Sequence, residues 1–208
     1  MTDRETLAQR AYDNIKQDIL NGGIPGGTIL SERVLAERTH ISRTPLRAAL
    51  SRLEREGVVG RLSNGALTVR PVSAEQFLDV LALRRVLEGA AAARAVMTDA
   101  LEASAKEMQR CASGEAMDFD TFWAMDDRFH TAVVRAAGLS LLPAILDEQR
   151  AVARRSTIVR RLDVFTDQGH EHLAVIDAIR RGDPAGAAAA AHHHFDCMRA
   201  RFLHNLQR

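Results

Sequence analysis

Aromatic residues are scarce in this chain: of 208 residues, one is Trp, one Tyr and seven Phe. Sheets lean on aromatic and β-branched side chains, so this scarcity, with abundant Ala, predicts a mainly helical protein. Cysteine is almost absent too. Cys111 and Cys197 stand far apart and outside any C-x-x-C spacing, which excludes a disulfide scaffold and leaves both as expected reduced core residues. No apolar run is long enough to span a bilayer and no N-terminal signal segment is read, so a soluble, cytoplasmic protein is expected. Neither charge dominates, with 28 Lys and Arg against 27 Asp and Glu. At 46% apolar and 26% charged residues, the composition is that of a globular chain.

What is present is unevenly placed. Residues 1–71 hold 11 Lys and Arg against 8 Asp and Glu; the remainder holds 17 against 19. A basic first module joined to a slightly acidic second one suits nucleic-acid binding by the first. The stretch SERVLAERTHISRTPLRAALSRLEREGVVGRLSNGALTVR, Ser31 to Arg70, gives that module its form. Ser31 is placed to cap a short helix running to about Thr39, and His40-Ile41 makes a turn. Ser42 stands at the cap of a second helix, with Pro45 tolerated in its first turn and Leu46, Ala49, Leu50 and Leu53 facing inward. Gly57 ends it. Val58-Val59 and Ala66 to Val69 read as two strands joined through Ser63, Asn64 and Gly65. An amphipathic helix over Arg4 to Leu20, with Leu7, Ala11, Ile15 and Ile19 as its stripe, leads into the motif.

The whole is a winged helix-turn-helix. Arg43, Thr44 and Arg47 lie on the side of the second helix away from its leucines. Such a helix reads bases in the major groove with its N-terminal residues, and Arg pairs bidentately with guanine. Ser42 and Thr44 are placed for phosphate contact.

From Ser73 onward no strand pattern appears. Helices are expected over residues 74–97, 99–112, 118–137, 139–158, 164–181 and 184–206, broken at Gly114, Gly138 and Gly182-Asp183-Pro184. Short connections predict an antiparallel bundle. The two domains are therefore residues 1–71, a winged helix-turn-helix, and 74–208, all helical. In the third of these helices Asp126 and His130 are four apart and share a face with Phe122 and Val133. His172 lies eleven residues before Asp183 and His194 eleven after it, so an antiparallel hairpin brings them to one height. His192 and His193 fall off the inward stripe, and His170 precedes it. One Asp and three His suit a divalent ion of the zinc, nickel or manganese class. An internal hydrogen-bonded Asp–His cluster is the plainer alternative.

The first module, through SER-x-LAE, SRTPLR and LEREGVV, resembles the DNA-binding domain of the GntR superfamily of bacterial transcription regulators. That resemblance implies that Arg33, Arg43, Thr44 and Arg47 contact operator DNA and that Gly65 enters the minor groove at the wing tip. Asn64 departs from the pattern, because the family often has a basic residue before the wing glycine. The second module, through ALRRVLE, D-x3-H at 126–130, EHLAVIDAIRRGD and the last histidine, resembles the all-helical FCD effector domain of one GntR branch. Many of its members bind a divalent metal through one Asp and three His, here Asp126, His130, His172 and His194. The resemblance also implies that Arg84, with Arg85 as the neighbour left open, faces the cavity and meets a small organic acid effector.

The reading reached is a homodimeric, DNA-binding transcriptional regulator, in the usual family sense a repressor, controlled by a small carboxylate in a metal-containing helical domain. It is not read as an enzyme, and no membrane partner is expected. Two alternatives remain open: a metal-sensing regulator with no organic effector, and a metal-dependent enzyme fused to a DNA-binding module. For the enzyme, Glu171 is the nearest acid–base candidate, although its place beside His172 puts it on the solvated side.

Overall fold

In the computed structural model, residues 6–156 and 165–206 are described, and the chain divides into two compact units. The first is chiefly residues 1–73 and the second residues 74–153 with 158–208, while residues 154–157 group with the first. The expected helix residues Arg4 and Glu5, 157–158 and 164 lie outside the described residues.

In the first unit, α1 (Leu7–Leu20) is capped by Thr6, whose hydroxyl accepts from Gln9 N at 3.1 Å. Its inward face is Ala11, Tyr12, Ile15 and Ile19, whereas Leu7, expected in the stripe, is exposed. Helix α2 (Glu32–Thr39) is capped by the Ser31 side chain and ends at His40, which takes the left-handed conformation. Helix α3 (Arg43–Arg55) buries Leu46, Ala49, Leu50 and Leu53. Ser42 occupies its cap position without a side-chain cap bond. Packing of α1 and α2 on α3 makes the core, closed by Val58, Val59, Leu67 and Val69. The wing is β2 (Val59–Arg61) and β3 (Leu67–Val69), antiparallel, with Val59 opposite Val69 and Arg61 opposite Leu67.

A third strand, β1 (Ile29–Leu30), pairs with the other edge of β3. Two residues are too few to show a period in the sequence. At the wing tip Gly65 has φ +83° and donates its N–H to Leu62 O at 2.9 Å, a conformation that favours glycine. Tyr12 ties α1 to the end of α3: its hydroxyl donates to Glu56 at 2.7 Å, Lys16 Nζ reaches the same carboxylate at 2.9 Å, and Arg52 stacks over the Tyr12 ring.

The second unit is helical throughout its described residues. Its elements are α4 (Ala74–Arg94), α5 (Asp99–Ala112), α6 (Phe119–Ala136), α7 (Leu142–Arg155), α8 (Phe165–Arg180) and α9 (Pro184–Leu206). Several bounds fall one residue inside expectation, and two depart by three residues. Helix α4 stops at Arg94 rather than 97, because Thr98 takes an extended conformation to cap α5, its hydroxyl accepting from Leu101 N. Helix α7 starts at Leu142 rather than 139, because a start at 139 would place Pro143 in the helix interior, where its ring meets the carbonyl four residues back.

Five helices close a ring: α4 packs on α9, α9 on α8, α8 on α5, α5 on α6, and α6 back on α4. Two glycines make close approaches possible. A Cβ on Gly169 of α8 would meet the α5 backbone, with Ala112 N at 2.7 Å, and one on Gly89 of α4 would meet the His192 ring of α9. The ring's interior is the core, led by Leu101, Met108, Phe122, Phe129, Ile176 and Ala187. It also encloses a set of charged and imidazole groups.

Candidate functional site

In the first unit the sequence-predicted residues lie on the surface. Arg43, Thr44 and Arg47 are exposed on the outer face of α3, over its first two turns. Arg43 and Thr44 make no side-chain hydrogen bond among the described residues, while Arg47 Nε donates to Glu32 at 2.8 Å. Arg33 is exposed on α2 and paired with Glu37 at 2.9 Å. Exposed pairs of this kind contribute little and give way readily to a stronger anion. Gly65 sits at the exposed wing tip, with Asn64 Oδ1 accepting from Ala66 N. A residue the sequence reading passed over stands beside it: Arg61, across the hairpin, donates from Nη1 to Gly65 O at 3.3 Å and pairs with Glu54.

In the second unit three helices of the ring, α6, α8 and α9, send polar side chains to the same point. Asp126 and His130 come from α6, His172 from α8 and His194 from α9, all buried. One ligand atom from each histidine lies within 4.8 Å of the others. His172 Nε2 is 3.3 Å from His194 Nε2, and Asp126 Oδ1 is 3.5 Å from both His130 Nε2 and His172 Nε2. At 3.5 Å the carboxylate converges on the rings without a good hydrogen bond to either.

The opposite ring nitrogens are held from behind. His130 Nδ1 donates to Glu88 Oε2 of α4, and His194 Nδ1 to Glu171 Oε2 of α8 at 2.8 Å. His172 Nδ1 faces the Met108 thioether of α5 at 3.1 Å, with Phe129 stacked on its ring. Each contact leaves an Nε2 lone pair turned to the centre.

Charge is arranged to match. Burial works against the Asp126 carboxylate, but the imidazoles of His130 and His172 and the Arg150 guanidinium hold it well below the usual range. Glu88 is depressed in the same way, its burial outweighed by Arg84 and His130, and Glu171 is lowered to about 2 by His194 and Arg201 against its burial. Burial, reinforced by His194, pushes His172 well down; burial also lowers His194, with Glu171 opposing. Burial therefore favours the neutral form of both rings, and the partner at each Nδ1 bears on which nitrogen keeps the proton.

Arg84 adjoins this cluster. It is buried, its Nε donates to Glu88 Oε1 at 2.6 Å, and its Nη2 has no partner among the described residues. It lines a small cavity together with Asp126, His130, Gln168 and His194. Arg85, the neighbour left open, faces outward and pairs with Asp196. Arg150 of α7 sits behind Asp126, its Nη2 3.5 Å from Oδ2 and its Nε donating to Asp127 at 2.6 Å.

Two expectations are corrected. Glu171 is not on the solvated side, since its carboxylate lies between His194 and Arg201, whose Nη1 donates to it at 2.7 Å. Cys197 is half-buried rather than core, 3.5 Å from His193 Nε2, whereas Cys111 is buried. His192, half-buried over Gly89, and His193, exposed, both stand off the inward stripe, as expected. Sequence reasoning missed Glu88, Arg150 and Arg201. The four-residue spacing of Arg84 and Glu88, and the seven from His194 to Arg201, were signals that each shares a face with a functional residue.

Comparison with known proteins gives a consistent result. The family model described as bacterial regulatory proteins of the gntR family matches residues 7–69, and the FCD domain model matches residues 79–196. The Nta operon transcriptional regulator of Aminobacter aminovorans is 31% identical over 180 residues, covering 82% of this chain and 84% of the relative. The probable D-xylose utilization operon transcriptional repressor of Paenarthrobacter nicotinovorans is 29% identical over 201 residues, covering 92% and 86%. Among solved structures, E. coli McbR/YncC superposes with a TM-score of 0.78 at 20% identity, over 96% of this chain and 98% of that one, which shows a shared fold.

Proposed function

Because the chain belongs to the gntR family, in the branch with an FCD domain, and is a DNA-binding transcriptional regulator, we propose that a divalent ion and a small organic acid in its helical unit control its hold on operator DNA. The observation that carries this is the convergence of three Nε2 atoms and the Asp126 carboxylate on one point, beside the unpartnered Nη2 of Arg84. Two neutral imidazoles that face each other Nε2 to Nε2 at 3.3 Å repel unless a cation or proton lies between them. Ligand atoms at about 2.0–2.1 Å from a tetrahedral ion stand about 3.3 Å apart. His130, His172, His194 and Asp126 would hold the ion, of the zinc, nickel or manganese class. Glu88 and Glu171 would fix two of the imidazoles in the tautomer that ligation needs. A bound acid would be shared between the ion and the Arg84 fork.

On the DNA side, Arg43, Thr44 and Arg47 would enter the major groove from α3, with Arg33 on the backbone and the Gly65 wing tip in the minor groove. Asn64 leaves the tip without the expected neighbouring cation, and Arg61 supplies one from across the hairpin. The protein would act in the cytoplasm as a homodimer. The outer face of α4 carries Leu83 and Val86, exposed by 53% and 63%, as an apolar patch for a second copy. Operators would then be pseudo-palindromic. In the family's usual direction the acid releases a repressor, by binding one arrangement of the dimer better than the other.

The test is operator binding by fluorescence anisotropy with metal-loaded and chelated protein, each with and without a panel of organic acids. A metal-dependent response to an acid is expected. A response to metal with no acid active would make the protein a metal sensor, and turnover of the acid would make it an enzyme. No response to either would overturn the reading.

A further inference from the structure

The cavity beside the histidines is walled by rings. Phe77 of α4, Phe119, Phe122 and Trp123 of α6, and Phe165 of α8 all line it, so five of the nine aromatic side chains in the chain meet at one place. Two stacked pairs are among them, Phe119 with Trp123 at 5.7 Å between ring centres and Phe122 with Phe165 at 4.4 Å. Ala153 and Met198 complete the apolar side. The polar lining is a single cluster. Arg84 joins His130 through Glu88, and Asp126 and His194 belong to the same group. Gln168, one turn before His172, adds an amide that is buried and makes no hydrogen bond among the described residues.

From this we infer that the acid taken by the site has a flat aromatic body: an aryl or arylalkyl carboxylate, not a polyhydroxylated sugar acid. The inference rests on the acid-sensor reading above. A carboxylate is met by the unpartnered Nη2 of Arg84, and one further polar atom by Gln168. Beyond them the wall offers carbon. Hydroxyls of a sugar acid would leave water and find no partner on those rings, and each one left unsatisfied adds its own desolvation cost. Size points the same way. The free space enclosed is about 20 Å³, roughly that of one water, so any larger guest must part the lining rings. An aromatic guest replaces the ring contacts it breaks with stacking of its own; a polyol does not.

Trp123 is the sole Trp of the chain and lines this cavity, so it serves as a built-in reporter. The full-length, metal-loaded protein is titrated with benzoate, phenylacetate, gluconate and benzyl alcohol, following Trp emission and heat. Benzoate or phenylacetate is expected to bind at least tenfold tighter than gluconate and to change Trp123 emission saturably. Equal or tighter binding of gluconate overturns the aromatic body and leaves the acid sensor standing. Benzyl alcohol binding as tightly as benzoate overturns the carboxylate requirement. No binding by any of the four overturns the inference and the acid-sensor reading together.

Discussion

His172 and His194 meet Nε2 to Nε2 at 3.3 Å in the centre of the helical ring, each turned there by a contact at its far nitrogen. Such a pair is bridged by a proton in the bare protein, and a cation can take that proton's place. A divalent ion should therefore stabilise the folded protein and raise its melting temperature, the stabilisation growing with free ion and reaching about 4 kcal/mol at a thousandfold excess over Kd. His172→Gln should abolish most of that rise while leaving a folded helical protein. A melting temperature indifferent to both ion and chelator would show that the cluster is only a hydrogen-bonded core.

Glu88 holds Arg84 with one carboxylate oxygen and His130 with the other, and all three side chains are buried. It is thus expected to position the acid-binding and ion-binding groups together. Glu88→Gln keeps the shape but places an amide N–H against one of two donors. Ion affinity should fall about 10- to 100-fold, as for other carboxylates that orient ligand histidines. Acid affinity at saturating ion should fall as well. Loss of stability without change in either affinity would leave Glu88 a purely structural ion pair.

Much of this was legible in the sequence, for physical reasons that differ by residue. Periodicity placed Leu46, Ala49, Leu50 and Leu53 inward in α3, because a helix that buries one face must repeat near 3.6. Equal spacing about the Asp183 turn brought His172 and His194 to one height, because α8 and α9 pack along each other. Strand β1 left no trace, since two residues carry no alternation. Glu171 misled for a different reason. Its neighbour His172 turns inward, so Glu171 points about 100° away on a helix, yet there it meets α9 rather than water. Only the packing of the two helices reveals that.

Glu56 gives the first unit a pH dependence. Burial opposes its ionised form, but Lys16, Tyr12 and Arg52 overcome that and hold the carboxyl below its ordinary value. A carboxyl depressed by folding contributes stability above its unfolded pKa, about 4.3, and that contribution is lost as pH falls through the folded value. Below about pH 4.5 the wild-type protein should lose stability more steeply than Glu56→Gln, the difference at neutral pH being about 1 kcal/mol for this half-exposed cluster. Parallel acid unfolding curves for the two proteins would contradict the assignment.

Arg47 and Arg61 should separate on DNA by what each one reads. Arg47, on the outer face of α3, has only an exposed pair with Glu32 to give up before it reaches a base edge. Arg47→Ala should cost about 1–3 kcal/mol on the specific operator and relax preference at one base position, with a smaller loss on random DNA. Arg61 lies at the wing tip beside the Gly65 carbonyl, held by Glu54. If it meets phosphate, Arg61→Ala should weaken operator and random DNA alike and reduce the slope of log K against log salt by about 1. Anisotropy titrations of both variants across a salt series distinguish these outcomes. An Arg47 variant that binds a mapped operator like the wild type would remove Arg47 from base reading, and an unchanged slope for Arg61→Ala would place that residue off the backbone.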